Sequence, residues 1–338
     1  MKLVFNKIYI ITLFVCFKQF VFSQDPQFSQ FYATPLYLSP SFAGISSGSR
    51  VVLNFRDQWP KMPGRFITFA VSGDHNLRSL KSGVGILITR DQIGSGKLST
   101  TNVGGLYSYR IKINRNWTIR PGLHLMYTQK SIDYYSLNFV EEVHHGTQIG
   151  EPNEYLNNQY VDFSSSILTY NKDFWLGSTV DHMLRPNQAL MGGNNRVPMK
   201  FSFYGGLKVN IRGRMRALKA SAENITFAFL YKYREQKNLT FKQQNSQFDL
   251  GLYWSKTPIV VGLWYRGIPI IKENKGSDAI ILLFGYKVDE FSVGYSYDFT
   301  VSRLIASTGG AHEISIIYLF NVSKYRKAKR EMIPCPHF

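Results

Sequence analysis

Apolar and polar residues alternate with a period of two, in segments of about nine to eleven residues, along most of this chain. Phe291, Val293, Tyr295, Tyr297 and Phe299 alternate with Ser292, Gly294, Ser296 and Asp298. Trp117, Ile119, Pro121, Leu123, Leu125 and Tyr127 alternate with Thr118, Arg120, Gly122, His124, Met126 and Thr128. Successive strand residues point to opposite faces, so each segment has one greasy face and one small or polar face. That is what a strand needs with hydrocarbon or core on one side and water on the other. The pattern predicts fourteen strands, at 49–56, 65–72, 83–90, 102–113, 117–127, 161–170, 174–183, 200–210, 225–234, 247–255, 259–267, 279–287, 291–299 and 312–320. An even count suits a closed bacterial barrel.

The links between strands carry a second pattern. Asn114-Arg115-Asn116, Asn171-Lys172-Asp173, Lys256-Thr257-Pro258 and Val288-Asp289-Glu290 are tight turns, and each follows an even-numbered strand. Odd-numbered strands are followed by longer links, at 128–160, 184–199, 235–246, 268–278 and 300–311. Short periplasmic turns alternating with long outer loops are the mark of an outer-membrane barrel, and here predict both termini on the inner side. Two even-side links, 73–82 and 211–224, are long for turns and are candidates for strand extensions. A soluble β-sandwich also alternates, but the length, the aromatic load and this parity favour the membrane barrel. Tyr127, Tyr253, Trp254, Trp264 and Tyr265, near strand ends, are placed in interfacial girdles.

Composition sharpens the picture. Charged residues make up 18% of the chain against 15% aromatic, below the roughly 25% charged of soluble proteins. Beyond the first 22 residues no apolar stretch approaches the roughly 20 residues that a spanning helix needs. The start reads as a secretory signal peptide, residues 1–23, with Lys2 and Lys7, an apolar core from Ile8 to Phe17, and a cleavage site at Val21-Phe22-Ser23. Its removal takes three Lys and Cys16, lowers the net charge from +18 to +15, and leaves Cys335 without a partner for a disulfide. An exported chain rarely meets nucleic acid, so the counter-charges expected are outer-membrane lipid phosphates or an acidic protein partner.

Candidate chemistry is sparse. Gly94-Ser95-Gly96-Lys97 fails as a phosphate loop, with Asp91 at its first Gly position and Leu98 where Ser or Thr belongs. His144-His145 beside Glu141-Glu142 reads as a polar loop rather than a metal site. No His-Glu-x-x-His or Gly-x-Ser-x-Gly motif occurs, and no cofactor, metal or enzymatic activity is expected. One constellation stands out at the outer rim: alternation turns Asp298 of the thirteenth strand, Glu313 of the fourteenth and Arg266 of the eleventh inward. They read either as an ion-paired lumen lining or as a docking point for a partner segment. Beyond Phe320 a tail of 18 residues carries the basic run Lys324, Arg326, Lys327, Lys329 and Arg330. It reads as a headgroup anchor or solvated end, or as a docking peptide for an acidic component.

The stretch Gln24-Asp25-Pro26-Gln27-Phe28-Ser29-Gln30-Phe31-Tyr32-Ala33-Thr34-Pro35-Leu36-Tyr37-Leu38-Ser39-Pro40-Ser41-Phe42-Ala43-Gly44 resembles the opening of the PorP/SprF family. Asp91-Gln92-Ile93-Gly94, Gly294-Tyr295-Ser296-Tyr297-Asp298 and Thr308-Gly309-Gly310-Ala311-His312-Glu313-Ile314-Ser315 match it further along. Ser39 and Ser41 depart from the Asn-Pro-Ala or Asn-Pro-Ser of relatives, and the ending Ile333-Pro334-Cys335-Pro336-His337-Phe338 leans toward the SprF side. The resemblance implies a non-enzymatic outer-membrane protein of type IX secretion and gliding motility. Its partners would be an exported surface protein with a C-terminal secretion domain, such as a motility adhesin, and periplasmic or outer-membrane secretion components.

The combined expectation is an all-β transmembrane outer-membrane β-barrel of about 14 antiparallel strands, residues 49–320. A signal peptide (1–23) and a periplasmic N-terminal segment or plug (24–48) precede it, and a basic periplasmic tail (321–338) follows. A passive or substrate-specific pore is the alternative function, and an attachment point for the secretion ring a third. A tag after Phe338 should be protease-protected in intact cells and a tag within 128–160 accessible; reversed labelling would refute the orientation.

Overall fold

The computed structural model describes residues 25–62, 64–94, 98–132, 156–190, 192–211, 223–235, 246–268, 279–301 and 308–320. Fourteen antiparallel strands form the wall: β1 (Ser49–Gln58), β2 (Phe66–Leu77), β3 (Ser82–Ile93), β4 (Leu98–Tyr109), β5 (Thr118–Ile132), β6 (Leu156–Tyr170), β7 (Phe174–Asp181), β8 (Lys200–Asn210), β9 (Glu223–Arg234), β10 (Ser246–Lys256), β11 (Ile259–Arg266), β12 (Ala279–Val288), β13 (Phe291–Thr300) and β14 (Ala311–Phe320). Each pairs with its neighbours in sequence, and β1 pairs with β14 from Ser49 opposite Phe320 to Gln58 opposite Ala311. That last ladder closes the ring, so no edge strand is left to seek partners in hydrocarbon. All fourteen predicted strands are present, most extended by a few residues. The link at 73–82 does conceal an extension: β2 runs to Leu77, and a single 3₁₀ turn (Arg78–Leu80) leads into β3.

The turns form for local reasons. Asn114 Oδ1 accepts from the backbone N–H of Asn116 and Trp117, and Asn171 Oδ1 from those of Asp173 and Phe174. A side-chain acceptor thus closes each turn two and three residues on. The outward face is apolar, with Leu53, Phe69, Val71, Ile86, Leu125, Phe227, Leu263 and Phe284 all exposed, as a lipid-facing wall requires. Tyr127, Trp254 and Tyr265 also sit on it by alternation. Tyr253 and Trp264 do not belong to a girdle: each is 1% exposed and points into the lumen. Each is one residue out of phase with its outward aromatic neighbour, and a one-residue step reverses the face.

A lumen enclosed by fourteen strands is wider than inward side chains can fill, and residues 25–48 occupy it. Asp25 lies among the ends of β7, β8 and β9, on the side of the long links. Gly44 donates to Asp74 near the tight-turn end. The chain therefore crosses the lumen before entering β1: Asp25 lies at the end of the wall that carries the long links and Phe320 at the tight-turn end, while both termini lie outside the described residues. One helical turn, α1 (Pro35–Leu38), and a 3₁₀ turn (Pro40–Phe42) each begin with Pro, whose missing N–H costs nothing at that position. Phe31, Tyr32, Leu36 and Phe42 are each at most 4% exposed. Phe31 packs edge-on to Trp264 at 5.0 Å, Tyr32 on Trp175 at 5.8 Å, and Phe42 near Tyr204 at 5.8 Å. Burial of such side chains stabilises by about 1.5–3 kcal/mol each.

Backbone meets backbone where this plug crosses the wall. A Cβ added to Gly122 would fall on the Pro40–Ser41 peptide, and one on Gly83 on the Ala43 carbonyl. Only glycine lets the plug lie this close. Gly122→Val should therefore displace the plug at a cost of about 1–3 kcal/mol while leaving a heat-modifiable barrel, and should raise conductance in planar bilayers. Wild-type conductance with intact heat-modifiability would show that the contact is dispensable.

Candidate functional site: a clamped plug at the outer mouth

The lumen is ionic at its outer end and aromatic below it, with the buried Arg50–Asp74 pair at the tight-turn end. Arg56 on β1, Arg266 ending β11, Asp298 on β13 and Glu313 on β14 all point inward. Arg56 and Glu313 are direct partners across the closing ladder. Arg56 Nη2 lies 2.8 Å from Asp298 Oδ2, Arg56 Nη1 3.2 Å from Glu313 Oε2, and Arg266 Nη1 2.9 Å from Asp298 Oδ2. The side chains of all four are less than a tenth exposed. Two cations balance two anions, which is the condition for burying any of them.

The plug completes this cluster. Ser29 N–H donates to Glu313 Oε2 at 2.6 Å and Gln30 N–H to Glu313 Oε1 at 3.1 Å. The Ser29 hydroxyl donates to Asp298 Oδ2 at 2.7 Å while accepting from Arg56 and Arg266 at 2.6 and 2.7 Å. Gln30 Nε2 reaches the Glu313 carbonyl at 3.0 Å, and Gln30 Oε1 accepts from Ser315 at 2.6 Å. Charge-assisted bonds of this kind are the strong ones. Of the residues singled out from sequence, Asp298, Glu313 and Arg266 thus meet at one point, turned toward the chain's own Ser29 and Gln30. Lys324, Arg326, Lys327, Lys329 and Arg330 lie outside the described residues, as do the signal peptide, Cys335, Ser95–Lys97 and the His144–His145 cluster. Arg56, Ser29 and Gln30 were missed. Alternation does place Arg56 inward, but nothing local ties it to residues more than 240 positions away.

The far end of the plug is tied through the Ala43 carbonyl, the Gly44 N–H and the Ser41 hydroxyl. Arg120 Nη2 and Ser108 Oγ donate to the Ala43 carbonyl at 2.5 and 2.8 Å, Asp74 pairs with Arg50 at 2.8 Å, and Ser41 bonds Ser166 at 2.6 Å. At the outer end Asp25 is met by Lys200 at 2.9 Å, His182 at 3.3 Å and Arg234 at 3.4 Å. Burial alone would raise the Asp25 carboxyl, but Lys200, His182 and Arg234 outweigh it and hold it well below the ordinary carboxylate range. Burial would likewise lower the His182 imidazole, but Asp25 and the bond to Asp162 at 2.5 Å raise it to about 9.

These features define an outer-membrane β-barrel of fourteen strands, closed by its own N-terminal segment. The chain belongs to the PorP/SprF family of type IX secretion system membrane proteins, whose family model matches residues 20–318. Its role is accordingly associated with type IX secretion, and its place is the outer membrane. No curated protein matches it in sequence. Among solved structures it is similar to the P. putida toluene transporter TodX, with 8% identity, TM-score 0.46, and coverage of 83% of this chain and 92% of that one. It is also similar to the Acinetobacter baumannii outer membrane protein Omp33, with 8% identity, TM-score 0.43, and coverage of 80% and 98%. A Pseudomonas aeruginosa FadL homologue gives 12% identity, TM-score 0.43, and coverage of 80% and 89%.

Two predictions follow from the geometry. Arg56→Met leaves Glu313 and Asp298 buried with one cation between them, and should destabilise the barrel by about 3–5 kcal/mol. Thermal unfolding followed by the heat-modifiable band shift tests this, and an unchanged midpoint would mean that the cluster contributes nothing. The second concerns pH at Asp25. A depressed carboxyl pKa gives stability that is complete above the ordinary carboxylate range and lost as pH falls through the lowered value. A raised imidazole pKa gives stability that is complete below 6.5 and lost as pH rises through about 9. The outer end of the plug, where Asp162, Asp181, Lys200 and Arg234 also face these groups, should be firmest between about pH 4 and 6.5. Hydrogen exchange over residues 25–30, corrected for intrinsic rates, should rise near pH 9, and His182→Gln should abolish that rise.

Proposed function

We propose that this barrel is a non-conducting partner protein of type IX secretion, which receives, helps export or retains an exported surface protein at its outer mouth. The observation that carries this reading is the plug. It runs the length of the lumen, is clamped by buried charges at its outer end and by backbone contacts at its inner end, and takes the space a solute path would need. A barrel filled in this way offers its rim and loops for binding, and binding is all that the reading requires. No reacting group is part of it.

The client in this reading is a surface protein bearing a C-terminal secretion domain, with a gliding-motility adhesin as the leading case, because the chain ends like SprF. Asp298, Glu313 and Arg266 serve the partner through the plug, by holding Ser29 and Gln30 where the outer rim presents them. The basic tail from Lys324 to Arg330 docks a periplasmic component of the machinery by charge. The rival, a passive or substrate-specific pore, needs a plug that leaves.

Steady conductance of the wild-type barrel in planar bilayers should be small, and deletion should remove a surface protein from the cell. Large stable channels with an unchanged surface proteome would establish the pore instead. Truncation after Ser323 should leave a folded barrel and abolish export; export at the wild-type level would remove the tail from the account.

A further inference from the structure

Three cations converge on one carboxylate of the plug where it reaches the outer mouth, with Asp162 and Asp181 of the wall beside them. Lys200 opens β8, Arg234 closes β9 and His182 directly follows β7, so the barrel wall itself makes them converge. Their target is a single atom, Asp25 Oδ2, which lies 2.9, 3.4 and 3.3 Å from them in that order. His182 is aimed by its other nitrogen, which bonds the fully buried Asp162 at 2.5 Å. Its backbone holds φ at +61°, a conformation that L side chains rarely adopt and that tends to mark functional sites.

The charge count shows what the socket requires. Lys200 also faces Asp181 at 3.2 Å, and His182 faces Asp162. With Lys200, Arg234 and protonated His182 set against Asp162 and Asp181, one positive charge remains, and Asp25 neutralises it. The site is complete only with one further carboxylate, and the one present comes from the plug rather than the wall. Asp25 is a quarter exposed and Arg234 30% exposed, so solvent reaches both. Alongside lies a chamber of about 90 Å³, lined among others by Asn102, His124, Lys130, Tyr160 and Gln188. The carboxylates of Asp91 and Asp181 line it as well, Asp91 accepting from the Thr68 hydroxyl at 2.6 Å. Among the described residues His124 Nε2 is buried without a partner, and buried Lys130 is bonded to the neutral Gln188 Oε1 at 3.0 Å.

We infer that the socket of His182, Lys200 and Arg234 is a carboxylate-recognition site for an acidic peptide segment of an exported protein, with Asp25 as its internal stand-in. The incoming Asp or Glu side chain exchanges for Asp25, with no covalent change, and the donors of the adjoining chamber take peptide carbonyls beside it. This rests on the partner reading above, and it adds the chemistry of the partner and the place where it is read. Tethering gives Asp25 a high effective concentration, so it masks the site from weak or stray anions.

The test uses the full-length barrel in detergent and two blocked pentapeptides, Gly-Gly-Asp-Gly-Gly and Gly-Gly-Asn-Gly-Gly, with binding read by saturation-transfer NMR at millimolar peptide. Asp25→Asn should bind the Asp peptide on the order of tenfold more tightly than wild type, because the internal competitor is gone. It should ignore the Asn peptide. Adding Lys200→Met to Asp25→Asn should remove binding, with Arg234→Gln as the second variant should the first fail to give a heat-modifiable barrel. Equal affinity of wild type and Asp25→Asn, no binding by either, or equal binding of the two peptides would overturn the inference. Peptide exchange in detergent alongside an unchanged surface proteome on deletion would keep the socket and reject the export role.

Discussion

A closed ring of fourteen strands must have its lumen filled if it is not to be a channel, and everything else in this protein depends on how that filling is done. The wall satisfies its own backbone through continuous ladders, closed by β1 on β14. Its inward side chains leave a space that a separate segment has to take. Above the contacts of Ala43 and Gly44 with Arg120 and Asp74, residues 25–48 take it in two chemically different layers: Phe31, Tyr32, Leu36 and Phe42 against Trp175, Trp264 and Tyr204, and Asp25, Ser29 and Gln30 among charges at the outer end. The two layers do different jobs. Apolar packing supplies attraction without direction, whereas the ionic layer fixes the register of the segment along the barrel axis.

The ionic layer and the plug need each other. Taking Arg56, Arg266, Asp298 and Glu313 out of water costs several kcal/mol per ion, and their mutual attraction offsets this only when the remaining donors and acceptors are also met. Ser29 and Gln30 meet part of that need: two backbone N–H groups reach Glu313, and one hydroxyl sits between Asp298 and both guanidinium groups. Three polar atoms of the cluster, Arg56 Nε, Arg266 Nε and Asp298 Oδ1, still lack partners among the described residues. That shortfall fits a cluster retained for placing a segment rather than for raw stability.

For a PorP/SprF family member in the outer membrane, this construction puts the chain's own residues 25–48 on the lumen axis and its most highly charged contacts at the end of the barrel that carries the long links. There the plug's first residues, the ends of β7 to β9 and a polar chamber come together. The arrangement resembles a receptor whose site is held in a defined shape by its own chain, so that an incoming segment exchanges for an existing contact and need not organise loose charges. Pre-organisation of this kind lowers the ordering cost of binding.

Much of this was legible in the residues themselves, because the wall depends on local rules. Period-two alternation follows from strand geometry alone, so the fourteen strands, their inward and outward faces and the inward direction of Asp298, Glu313 and Arg266 were readable without coordinates. The tight turns at Asn114 and Asn171 were equally local, each closed by one side chain. The aromatics were only half readable. Tyr253 and Trp254 differ by one position and face opposite media, and composition near a strand end does not tell a girdle from a lumen contact. What only the tertiary structure decided was who meets whom across the lumen. Ser29 and Glu313 are separated by 284 positions and Asp25 and Lys200 by 175, and such pairs carry no periodic signature. They exist because closing the ring brings its first and last strands together and leaves a space that one particular segment, with its own Pro turns and the glycines opposite it, is shaped to enter.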